Sequence, residues 1–177
     1  HGSLSYMGSE QFKTKYRPLL PGGIQIEFNN MNDLKKITHD VAAVIIEPIQ
    51  GGTGFIPAQK TWLKKIRTIC NENKSILIFD EIQTCFGRTG KLFGFENYNI
   101  IPDVLCLAKG MGGGMPIGCF ISSTKNMEKL STNPPLGHIT TFGGHPISCI
   151  ASLTTLNELT KSNLINEVKQ KERLFRE

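Results

Sequence analysis

The chain has 177 residues, 39% of them hydrophobic and 20% charged, which is enough for one domain with a buried core. The net charge of +5 comes from basic residues scattered among acids; Lys35, Lys36, Lys64, Lys65 and Arg67 read as solvated helix faces, and no basic stripe carries interleaved aromatics, so a nucleic-acid partner is not favoured. Five cysteines without a C-x-x-C pair argue against a zinc site or a disulfide scaffold and for a reducing, cytoplasmic setting; no apolar run is long enough to span a bilayer and no signal peptide is visible.

In chain order, residues 1–40 read as a polar lead-in. His1 to Leu20 is weakly patterned and closes at Pro21-Gly22-Gly23, as a connection over a surface would. A short strand is expected over Gly23 to Phe28, and one or two helical turns from Asn32. Val41 to Ile46 is β-branched and uncharged, a buried strand that ends at Glu47-Pro48, before a turn at Gln50 to Gly54. A helix follows over Ala58 to Glu72, with Trp62, Ile66 and Ile69 on its apolar stripe. Ile76 to Phe79 is the next buried strand and ends at Asp80-Glu81. After an aromatic loop come a strand over Val104 to Ala108, Lys109 with a run of glycines, and a strand over Ile117 to Ser122. Pro134 and Pro135 mark a loop, Thr140-Thr-Phe-Gly-Gly144 a turn, and two helices run from Pro146 to about Thr160 and from Leu164 to the end.

Strand, helix, strand implies a parallel crossover and an α/β sheet, and strands apolar on both faces are those of a buried parallel sheet. Ligands bind such sheets outside the carboxyl ends of the strands. Glu47 follows the first strand, Asp80 the second and Lys109 the third. Three ionisable groups along one sheet edge constitute a site. The plain alternative for Lys109 is a lysine capping a strand end in solvent. In the site reading its stem is packed and its amine points into the space the glycines leave open.

Two chemistries compete for this edge. An apolar strand ending in two acids fits magnesium-dependent nucleotide hydrolysis, but Gly87-Arg-Thr-Gly-Lys91 is followed by Leu92 and lacks the spacing of a phosphate-binding loop. A lysine and an aspartate on neighbouring strand ends suit pyridoxal phosphate: the amine forms a Schiff base and the acid pairs with the pyridine nitrogen. Thr140-Thr141, before a Gly-Gly turn and a helix start, is the best local candidate for holding the phosphate.

Glu47-Pro-Ile-Gln-Gly51, Phe79-Asp-Glu-Ile-Gln-Thr-Cys-Phe-Gly-Arg-Thr-Gly90, Leu107-Ala-Lys-Gly110 and Thr140-Thr-Phe-Gly-Gly-His-Pro146 resemble, in order and spacing, the class III aminotransferases, which include the ornithine and acetylornithine enzymes. The resemblance is densest from Val41 to Leu156. It implies part of the large domain of a fold type I pyridoxal-phosphate transferase: a mostly parallel α/β sheet flanked by helices. Residues 1–40 would be a lead-in segment, 41–160 the sheet and cofactor site, and 161–177 the start of a helix towards a C-terminal domain.

By the same resemblance, Lys109 is the Schiff-base lysine that shuttles the substrate proton, and Asp80 is the pyridinium partner. Ile82 packs on a ring face, or is simply core. Gln83 lies near the ring hydroxyl, or is a turn residue. Thr141 reaches the phosphate of a neighbouring subunit, which implies a homodimer with shared sites. Glu47 is a site neighbour without an assigned step, and His138 and His145 are structural. The reaction implied is amino transfer from an ornithine-like or acetylornithine-like donor to 2-oxoglutarate; a decarboxylase, aminomutase or racemase on the same scaffold and a non-catalytic partner subunit are the alternatives.

This chain departs from the pattern at Gly52, where ornithine-type members carry a second glutamate that manages a substrate-binding arginine, and at Cys85 and His145, where Gly and Asn are common. It begins His1-Gly2-Ser3 and ends within a charged helical pattern, so a fragment of a longer polypeptide is expected. The stacking aromatic, the glycine-rich phosphate turn and the carboxylate-binding arginine are expected outside it, and the chain by itself is not expected to catalyse.

Overall fold

The computed structural model describes residues 1–177. Four strands form the main sheet: β1 (Ala43–Ile46), β4 (Ile76–Asp80), β5 (Val104–Leu107) and β6 (Cys119–Ser122), in the spatial order β1-β4-β5-β6. The first three are parallel and β6 is antiparallel to β5, so the sheet is mostly parallel, as expected. A two-residue ribbon, β2 (Ile49–Gln50) against β3 (Ile56–Pro57), closes the turn expected at Gln50 to Gly54.

The crossover between β1 and β4 is the helix α3 (Lys60–Asn73), which buries Trp62, Leu63, Ile66 and Cys70 on one face. Those positions recur at helical spacing, so a single stripe meets the sheet. Trp62 anchors it: the indole donates to the Asn30 carbonyl at 3.1 Å and meets the Phe28 ring edge-on at 5.0 Å between centroids. The helix stops at Lys74, whose left-handed backbone (φ 60°) donates to the carbonyls of Asn71 and Cys70. Asp103 then fixes the start of β5: its Oδ2 accepts from the Leu77 N–H at 2.7 Å and from Arg67 of α3 at 2.8 Å.

Burial alternates along the strands. Val44, Ile46, Leu77, Phe79, Leu105 and Leu107 face α3 and the core. The other face is only partly covered: Ile76, Ile78, Val104 and Cys106 are half-buried, and Ile45 of β1 is 55% exposed. The expectation of strands buried on both faces is met fully on one face and in part on the other.

The ends differ most from the sequence reading. The lead-in is not plain connection but carries two short helices, α1 (Gly2–Tyr6) and α2 (Glu10–Lys13). Gly23 to Phe28 is not a strand, because its polar groups are satisfied locally: Asp33 accepts from the Glu27 N–H and Lys36 donates to the Gln25 carbonyl. Met31–Lys36 is a 3-10 turn capped by Asn30. After β6 come one turn of helix, α4 (Thr124–Met127), and the two long helices α5 (Pro146–Lys161) and α6 (Leu164–Arg176), close to their expected bounds.

Candidate active site

The site is built where β1, β4 and β5 stop. Asp80 is the last residue of β4, in register with Cys106 of β5. Phe79 is in the core, so strand alternation turns Asp80 to the open face, where it is half-buried. Its Oδ1 accepts from the Ile82 N–H at 3.0 Å, which fixes the carboxylate at the head of the turn that follows.

Lys109 leaves β5 through a strained backbone. Its φ is 49°, in the left-handed region that side chains other than glycine rarely occupy, and it opens a 3-10 turn over Lys109–Gly112. Such a conformation costs on the order of 1–3 kcal/mol and persists only where its surroundings hold it. Here the buried Met111 lies beneath the turn, its N–H donating to the Ala108 carbonyl at 3.1 Å, and α5 packs against the turn from outside. Gly113 makes that approach possible: a side chain there would collide with the Thr155 hydroxyl of α5.

The Lys109 amine donates to the side-chain carbonyl of Gln83. Gln83 lies against Gly51, where an added Cβ would stand 3.3 Å from the Gln83 Cγ. The Gly51 N–H in turn donates to Glu47 at 3.0 Å. Glu47, Gly51, Gln83 and Lys109 thus form one continuous line across the sheet edge, with Asp80 and Ile82 on the β4 end behind it. The expected packed lysine stem is corrected: Lys109 is exposed.

Thr141 lies elsewhere. It lines a recess of about 510 Å³ formed by Pro116–Gly118, Thr140–His145 and Ser148, at the N-terminus of α5. Neither Lys109 nor Asp80 lines that recess. Its hydroxyls and the first backbone N–H groups of a 16-residue helix suit an anion. His138 packs its ring edge-on against Phe120, a structural contact.

One carboxylate was passed over in the sequence. Glu81 is fully buried and accepts hydrogen bonds from the N–H groups of Gly94 and Phe95 and from the Thr84 hydroxyl. Burial pushes its carboxyl above the usual range, against the pull of those three donors. Its place beside Asp80 at the ligand-binding edge was the available signal.

Comparison with known proteins places the fold. The Aminotransferase class-III family matches residues 4–177. The fold is similar to the ornithine aminotransferase of Toxoplasma gondii ME49, with 29% identity and a TM-score of 0.91 over 99% of this chain and 42% of that one. A second structure of the Toxoplasma gondii ornithine aminotransferase, with partial occupancy of PLP at its active site, is 30% identical with a TM-score of 0.90 over 98% of this chain and 41% of that one. The acetylornithine aminotransferase of Elizabethkingia anophelis is 31% identical with a TM-score of 0.80 over 90% of this chain and 40% of that one. The chain therefore spans about two fifths of the length of these solved relatives. With nearly its whole length matched, residues 4–177, the chain belongs to the class-III aminotransferases.

Proposed function

We propose that the protein to which this chain belongs is a pyridoxal-phosphate-dependent aminotransferase, and that residues 1–177 form part of its large domain. The observation that carries the reading is the Lys109 amine, solvent-accessible and hydrogen-bonded to Gln83, on the same strand edge as the Asp80 carboxylate. The donor set fits the cofactor: a primary amine for its aldehyde, a carboxylate for its ring nitrogen, an amide for its ring hydroxyl, and an aliphatic side chain at Ile82 for a ring face. Gly51 fits as well, since its missing side chain is what lets Gln83 lie close to Glu47.

Bound pyridoxal phosphate supplies an electron sink that stabilises negative charge on the substrate carbon. The chain's residues do the rest. Lys109 would hold the cofactor through Nζ and would take up and return the substrate's proton at that same nitrogen. Asp80 keeps the ring nitrogen protonated by placing a negative charge beside it. Gln83 orients the amine and Ile82 excludes water from one side of the ring. Thr141 would serve the phosphate of a neighbouring subunit, as the resemblance to the family implies, and the working form would then be a homodimer with shared sites.

The amino donor is ornithine-like or acetylornithine-like and the acceptor is 2-oxoglutarate. The relatives named above support that class. Five unpaired cysteines support a cytoplasmic setting, and no helix is long and apolar enough to cross a membrane. The test is direct: the full-length protein, loaded with pyridoxal phosphate, is given ornithine or N-acetylornithine with 2-oxoglutarate. Glutamate formation supports the reading. A donor consumed by loss of carbon dioxide or by racemisation, with no amino group passed to the oxo acid, overturns it.

A further inference from the structure

Glu81 is the most heavily bonded side chain near the site and no step above uses it. Its backbone N–H donates to Cys106 at 3.0 Å, and its carbonyl accepts from Thr84 at 3.2 Å and Cys85 at 3.0 Å. Its carboxylate adds the Phe95 N–H at 2.6 Å, the Gly94 N–H, and the Thr84 hydroxyl at 3.2 Å. All three partners of the carboxylate are donors, and the nearby charge that acts on it is the like charge of Glu96. A buried carboxylate satisfied by two N–H groups of one loop and a hydroxyl of its own turn ties that loop to the turn.

The loop leads back to the site. Phe93 and Phe95 stack at 5.6 Å with nearly parallel rings. At its far end the Tyr98 hydroxyl donates to the Pro48 carbonyl at 3.0 Å. Pro48 follows Glu47, which accepts from Gly51, and Gly51 abuts Gln83, the partner of Lys109. The contacts therefore close a ring: Glu81, the 93–98 loop, Pro48, Glu47, Gly51, Gln83, and back along the chain to Glu81. Gly94 is built for this arrangement. A Cβ there would stand 3.1 Å from the Glu81 Oε2 and 3.1 Å from Thr84, closer than side chains normally approach.

We infer that Glu81 is a positioning residue for the reaction, tying the 93–98 loop to the end of β4 so that Gln83 and Asp80 keep their places about the Lys109 amine. The inference rests on the cofactor reading above. Asp80 and Ile82 flank Glu81 in sequence, so any shift of its backbone passes to both.

The test uses the full-length protein as wild type, Glu81→Gln and Gly94→Ala. Glutamine keeps the shape but presents an N–H₂ where Glu81 accepts, and leaves a buried N–H unpaired. The expected result is a fall in kcat of about tenfold with the donor KM within about twofold, and a shift of about half a pH unit or more in the midpoint of the bound cofactor's absorbance change. In cofactor-free protein, amide exchange at residues 80–85 should accelerate along with that at residues 93–97. Gly94→Ala, which displaces the carboxylate or Thr84 by a few tenths of an ångström, should move the same readouts in the same direction, and it decides the matter if Glu81→Gln does not fold.

A variant with a lowered melting temperature but wild-type kcat, absorbance midpoint and exchange at residues 80–85 would reduce Glu81 to a structural staple and overturn the inference. If wild-type protein itself takes up no pyridoxal phosphate, the cofactor reading fails first, and it fails visibly without any variant.

Discussion

The amine of Lys109 donates to the side-chain oxygen of Gln83, joining two residues 26 positions apart across neighbouring strand ends. Gln83 is a neutral acceptor, so it orients the amine without adding charge. Gln83→Glu replaces it with an anion that favours the ammonium form, which cannot attack an aldehyde. Capture of pyridoxal phosphate by the cofactor-free, full-length variant should be slower by about tenfold, a modest figure because the pair is exposed and screened. The growth of cofactor absorbance after mixing measures it; capture at the wild-type rate would mean that Gln83 does not bear on the amine.

Gly113 is needed for two separable reasons. Its φ of 56° strains any other residue, and a methyl there would strike the Thr155 hydroxyl of α5. Gly113→Ala should cost about 1–3 kcal/mol in urea unfolding. Gly114→Ala, at φ 103° with nothing within 4 Å, carries strain without collision. Adding Thr155→Ala should recover part of the Gly113→Ala loss, whereas it should not help Gly114→Ala.

Cys70 reports on the core. Burial pushes its thiol up to about 11 from an ordinary 9.0. A raised pKa means that the folded state resists ionisation, so this group has no effect below pH 9 and costs stability as pH rises from 9 towards 11. In Cys70→Ala that alkaline loss should be smaller, on top of a pH-independent cost from the cavity. Melting temperatures of the two proteins between pH 8 and 11 should diverge by a constant below 9 and converge above it.

Much of the fold was legible because its strands are short, β-branched and uncharged, and α3 has one apolar stripe. The edge residues Glu47, Asp80 and Lys109 followed from the rule about strand ends, and their identities carried the chemistry. What was missed depends on partners distant in sequence. Gly23 to Phe28 has strand-like residues but no strand to pair with, since Asp33 and Lys36 take its polar groups. The apolar residues on both sheet faces gave no hint that one face is only partly buried within this chain. Nor could a single sequence show that Glu81 turns inward to meet Gly94 and Phe95, 13 and 14 residues on.

Gly52 stands in open space, with nothing within 4 Å of where a Cβ would be, and its backbone is not left-handed. Gly52→Glu should therefore leave stability within about 0.5 kcal/mol. If a glutamate there governs the substrate, the ratio of kcat/KM for ornithine over N-acetylornithine should change by about tenfold or more. An unchanged ratio in a folded variant would assign donor choice to other residues.

The central claim is that Lys109 holds pyridoxal phosphate. Borohydride reduction of the full-length protein after incubation with the cofactor, followed by peptide mass mapping, tests it most directly. A pyridoxyl group on the peptide containing Lys109, absent in Lys109→Ala, is the predicted result. Folded protein with Lys109 unmodified would contradict the account.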